Sequence, residues 1–210
     1  MTGGLRAAPV WFLLFISFYI ASMPSLFIMG VCAALCHEAA HAAAIELMGG
    51  GRVRAALAPA GIRMESDRFI FLGYGQEFAA ALCGPLMSAL LAAAFFFLWR
   101  EGLAPGWAKY FSGINLILCL FNLLPVWPLD GGRMLRCLLV RLLPFAAAEW
   151  ALRAVSWVFA LGCVLVGAAV LFASGYNFSL LFAGVFLCMG LIGSGRVSEC
   201  GKERRLFARL

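Results

Sequence analysis

Within the apolar stretch GVCAALCHEAAHAAAIELMGG, residues 30–50, stand His37, Glu38 and His41. These are the chain's two histidines, so all of its imidazole chemistry is concentrated here. On a helix, residues four apart share a face, so both rings can point at one ion. Glu38 lies about 100° round the helix from His37, beside such an ion and not on it. This is the HExxH arrangement, in which two imidazoles bind zinc and the glutamate serves as general base towards water. The same five-residue pattern also arises by chance, as two satisfied core histidines. That alternative weakens inside a membrane span, where ionisable groups are costly and mark function.

A catalytic zinc takes a third protein ligand and keeps one position open. Glu46 is about 140° off the ligand face and is rejected. Glu65, Asp67 and Glu77 fall in a polar segment, and Glu101 on the opposite side of the membrane. Asp130 sits in LFNLLPVWPLDGGRM, residues 120–134, where a span ends amid Pro125, Pro128, Gly131 and Gly132. These residues are expected to unwind the helix, and irregular backbone at membrane depth survives only when buried in protein or lining a wet cavity. Asp130 is therefore placed either to reach a metal from a second helix or to cap the helix that follows.

The elements that must carry these residues are membrane spans. The 210-residue chain is 64% hydrophobic and 12% charged, about half the charged fraction of a soluble domain. Runs of roughly 18 or more apolar residues recur. They predict an all-α polytopic membrane protein with about six transmembrane helices, near 5–22, 24–51, 78–99, 110–126, 149–173 and 176–193. The first is read as a span and not a signal peptide, because IASMPS is a poor cleavage site. Of the eight cysteines, Cys32, Cys36, Cys83, Cys119, Cys163 and Cys188 lie inside apolar runs and no CxxC pair occurs, so they read as small buried hydrophobes.

Orientation follows from the basic residues. With a cytosolic N-terminus, the cytosolic side carries Arg52, Arg54, Arg63 and Arg68, then Arg133, Arg136 and Arg141, then Arg196, Lys202, Arg204, Arg205 and Arg209. The opposite side shows Arg100 and Lys109. Both termini are thus expected in the cytosol of a multi-pass cell-membrane protein. The net charge of +6 is explained by topology, with no nucleic acid as partner. The segment near 50–76 is punctuated by Gly and Pro and alternates as in GIRMESDRF. It predicts a small cytosolic β-hairpin or sheet between spans two and three, or a plain surface loop. Residues 1–195 are expected to form a single transmembrane domain and 196–210 a short basic tail against anionic headgroups.

HEAAH inside one span followed by NLLPVWPLDGG at the end of a later one resembles the site-2 protease family of intramembrane zinc metalloproteases. The resemblance spans about residues 26–140. It implies that His37, His41 and Asp130 bind one Zn²⁺ per chain and that Glu38 is the catalytic general base. Asn122 and Pro128 match the family's asparagine and proline, and CGPLMS matches its Gly-Pro motif at Gly84 and Pro85. Many members carry an asparagine where this chain has Ser88. LLPVWPLDGG followed by LLPF is most similar to the sporulation branch, which processes a pro-sigma factor. That branch commonly carries a C-terminal nucleotide-sensing CBS domain. This chain stops at Leu210 without one and has no PDZ insertion, which leaves regulation and substrate choice open.

The resemblance implies a zinc metalloendopeptidase acting on a membrane-associated or transmembrane protein in the lipid bilayer, with room for a regulatory membrane partner. The Asn122 amide could bond substrate backbone or an oxyanion, or serve a structural helix end. The hairpin could offer a strand edge to hold an unwound substrate. The alternative is a metal-binding membrane protein or transporter without protease activity. A transporter is expected to show paired repeats or ligands in several spans, and neither is seen.

Overall fold

The computed structural model describes residues 24–49, 53–58, 61–66 and 73–193. The first expected span and the basic tail lie outside the described residues. Helix α1 (Pro24–Leu47) starts on a proline, whose missing N–H is no loss in a first turn, and is followed by Gly49 at φ 83°. Strands β1 (Val53–Ala58) and β2 (Gly61–Ser66) pair antiparallel, Val53 opposite Ser66 and Ala58 opposite Gly61. Helices α2 (Tyr74–Arg100), α3 (Trp107–Asn122), α4 (Asp130–Leu142), α5 (Phe145–Ser174) and α6 (Ser179–Gly193) complete the described chain.

Three of these helices, α1, α2 and α5, are long and apolar enough to cross a membrane. They are apolar on all sides, the mark of a helix without an aqueous face. Phe172, Trp150 and Leu165 are each more than 70% exposed, which suits lipid as their solvent. Helix α3 has 16 residues and α6 has 15, about 24 and 22 Å of rise against roughly 30 Å of hydrocarbon. The helix at the fourth expected span is displaced by three to four residues towards the N-terminus from the expected 110–126. It ends at Asn122, whereas the apolar residues run on to Val126. Of the four residues expected to unwind it, Pro125 and Pro128 do lie in the break, but Gly131 and Gly132 belong to the next helix. That helix, α4, replaces the irregular connection expected between spans four and five.

The chain divides into two compact units, one holding α1, the β1–β2 hairpin and Cys83–Leu120, the other holding Gly73–Leu82 and the chain from Phe121. In the first unit, α2 and α3 run antiparallel. Lys109 lies 5.0 Å from the Trp99 ring, Phe111 packs edge-on against Phe95, and the Ser112 hydroxyl donates to the Ala92 carbonyl at 2.7 Å. The pairing descends α2 as it ascends α3.

In the second unit, α5 and α6 touch backbone to backbone. A Cβ on Gly167 would overlap Leu181, and one on Gly184 would stand 2.7 Å from the Val164 nitrogen. Glycine at such contacts lets apolar helices approach closely enough for dispersion to hold them. Val126, from the break, is fully buried in a core with Ala160, Leu187 and Leu191. The break is further tied to α5, because the Trp127 N–H donates to the Ser156 hydroxyl at 3.0 Å. Arg136 of α4 donates to Glu149 of α5 at 2.8 Å.

Candidate active site

The first unit carries the histidines. His37 and His41 stand one turn apart on α1, both buried, and their Nε2 atoms converge to 3.1 Å. Glu38 is half-buried on the same helix. The far nitrogen of His37, Nδ1, lies 2.9 Å from the hydroxyl of Ser88 on α2. One turn before Ser88, Gly84 faces both rings: a Cβ there would overlap His41 and stand 2.7 Å from His37 Nε2. The Gly-Pro pair thus clears space around the two converging nitrogens. Pro85 is fully buried inside α2.

The second unit carries Asp130. The chain leaves α3 at Asn122, which is half-buried, and crosses 123–129 as irregular backbone with a cis Trp127–Pro128 peptide. Pro128 itself is exposed. Asp130 then opens α4 and is 7% exposed. The N-cap position is Leu129, with no side-chain cap bond, so Asp130 stands one residue inside the helix and is not its cap. The unsatisfied N–H groups of a first turn favour a carboxylate. Arg133, one turn on, places its guanidinium 3.8 Å from Asp130. The two glycines after Asp130 let α4 lie on the break: a Cβ on Gly131 would come within 2.5 Å of the Leu124 carbonyl, and one on Gly132 within 2.5 Å of Val126. The DGG sequence is thereby explained by a close backbone approach.

The donor set suits a borderline-soft divalent cation. The first unit offers two buried imidazoles, His37 and His41, and the second a buried carboxylate, Asp130. Two imidazoles and a carboxylate match the three-ligand set of catalytic zinc sites, and the space cleared at Gly84 suits an ion between the Nε2 atoms. Glu46, rejected on helix geometry, is exposed. Glu77 is buried near the start of α2, where Arg136 feels its charge. Ser88 has no assigned role in the sequence reading. The available signal is its spacing, four residues after Gly84 and so on the same helical face.

A sequence profile described as peptidase family M50 matches residues 98–163. Stage IV sporulation protein FB of Bacillus subtilis (strain 168) is 32% identical over 176 residues, which cover 83% of this chain. The chain spans 60% of the length of that curated relative. Among solved structures, a site-2 protease from Methanocaldococcus jannaschii superposes with a TM-score of 0.65 at 22% identity, covering 89% of this chain and 87% of that one. The fold is that of the site-2 proteases, and the chain is similar to peptidase family M50 over residues 98–163.

Proposed function

We propose that the chain is an intramembrane zinc metalloendopeptidase, and the observation that carries this reading is the pair of buried imidazoles converging at Nε2 beside Gly84. His37, His41 and Asp130 would hold one zinc, and Glu38 would be the general base. Bound zinc supplies a Lewis acid for the scissile carbonyl and a lowered pKa for water. Glu38 accepts a proton on its carboxylate from the attacking water and returns it to the nitrogen of the leaving amine. The Asn122 amide, at the end of α3, would donate to substrate backbone or to the carbonyl oxygen as it gains charge. Pro128 would hold the turn that delivers Asp130.

The substrate is a membrane-associated or transmembrane protein whose helix must unwind before its amide is reached. The β1–β2 hairpin would supply a strand edge for the extended segment. The six-span arrangement, with both termini in the cytosol, is part of the same reading. The likeness to a sporulation protein makes a pro-sigma factor the first substrate to test. Purified chain should shorten such a substrate, lose that activity with a chelator and regain it with zinc. Cleavage that persists in chelator would overturn the reading.

A further inference from the structure

The HExxH pattern accounts for His37 as a ligand but not for the atom it turns away from the ion. A neutral imidazole has one N–H and one lone pair, and only the lone-pair nitrogen binds a metal. Nδ1 of His37 meets the Ser88 hydroxyl at 2.9 Å, and Ser88 is fully buried. Here α1 hands one nitrogen of its ligand to a side chain 51 residues away, on another helix.

We propose that Ser88 is the positioning residue of His37: its Oγ accepts the Nδ1 hydrogen, fixes the ring's tautomer and plane, and leaves the Nε2 lone pair facing the ion. The inference rests on the zinc reading above. Nε2 is the atom that converges on His41 and on the space at Gly84, so the proton belongs on Nδ1. A hydroxyl that accepts this hydrogen still has its own to give. The Ser112–Ala92 bond fixes the level of α3 against α2, and one turn further along the antiparallel pair stand Ser88 on α2 and Asn115 on α3. Asn115 is fully buried, donates through Nδ2 to the Phe111 carbonyl, and has an Oδ1 without a hydrogen-bond partner, the one such buried side-chain atom among the described residues.

Partners of this kind hold ligand orientation, and their removal costs roughly 10- to 100-fold in metal affinity. The test is the zinc dissociation constant of the full chain in detergent, by competition with a chromogenic chelator. Ser88→Ala removes only the hydroxyl and fits the space. It should weaken zinc by about 10- to 100-fold while leaving the unfolding temperature of the zinc-free protein unchanged. Ser88→Thr keeps the acceptor and should restore affinity to within a few-fold. If threonine does not fold there, Ser88→Cys, similar in size with a weak acceptor, should fall between parent and alanine. Alanine binding as tightly as the parent, or threonine and cysteine both binding as loosely as alanine, overturns the proposal. His37→Ala separates the two readings. If it keeps full zinc affinity, the metal site itself is misassigned. If it loses zinc while Ser88→Ala keeps it, only the role of Ser88 falls.

Discussion

Glu38 and the three residues assigned to the metal differ in what their removal should take away. Glu38→Gln keeps shape and hydrogen-bonding capacity but cannot accept a proton. Cleavage should fall by about 10²- to 10⁴-fold, with zinc content still near one per chain. Asp130→Ala removes the carboxylate at the head of α4 and leaves the two imidazoles to hold the ion, so zinc content and activity should fall together. Metal analysis of the purified variants decides it. If Glu38→Gln loses zinc as completely as Asp130→Ala, Glu38 is a ligand and the base lies elsewhere. If Asp130→Ala keeps full zinc and activity, the third ligand is another acid, with Glu65, Asp67 and Glu77 next in line. At this scale the HExxH triplet was legible because its geometry is local: one helical turn brings His37 and His41 together. Ser88 was not, because its partner is fixed by how α2 packs on α1, which spacing along one helix does not report.

Helix α4 has its own support, the buried Arg136. Burial disfavours its charge, but the hydrogen bond and charge of Glu149, with Glu77 and Tyr74, outweigh that and hold the guanidinium above its ordinary value. A cation whose folded pKa is raised contributes its full stabilisation below the unfolded value and loses it only as pH rises through the folded one. For arginine that window lies far above neutral pH. The contribution of Arg136 should therefore not decline between about pH 6 and about pH 9. Arg136→Met leaves Glu149 without its donor in a mostly buried site, at a cost of about 3–5 kcal/mol. It should lower the thermal unfolding temperature of the second unit, and unchanged unfolding would remove the pair from the account of α4. In the sequence this arginine reads only as a topology signal, and its bond to Glu149 is not legible there. Helices α1, α2 and α5 were legible because some 20 apolar residues leave little choice of structure. The end of α3 was not, because Leu123, Leu124 and Val126 are as apolar as the helix before them. There the prolines and the anchoring of Val126 in the core decide, while hydrophobicity does not change.

For the whole molecule, α2 supplies a ruler. Its 27 residues rise about 40 Å, enough to cross the hydrocarbon and reach headgroups on both sides. Trp99, Arg100, Trp107 and Lys109 gather at its C-terminal end, with Lys109 over the Trp99 ring. Aromatic and basic side chains together mark a membrane–water interface. At the other end stands Tyr74, and the arginines of α4 follow the same cytosolic assignment. Gly84, which faces both imidazoles, lies 10 residues from Tyr74 and 16 from Arg100, or about 15 and 24 Å along the axis. His41 is likewise 6 residues from the end of α1 at Leu47, against 17 from its start at Pro24. Both helices thus place the imidazoles nearer the side assigned to the cytosol, and water has the shorter path from there. Substrates should be cut in the cytosolic half of their membrane-embedded segment. A reporter inserted in the 102–106 connection should face outward and one at 143–144 inward, and cleavage sites mapped by mass spectrometry should lie towards the inward side. If the reporters agree but the cuts fall in the outer half, the depth argument fails. If the reporters are reversed, the basic residues have been misread, and the cut sites should move with them to the opposite leaflet, because the distance from Gly84 to Tyr74 is a property of the helix and not of its orientation.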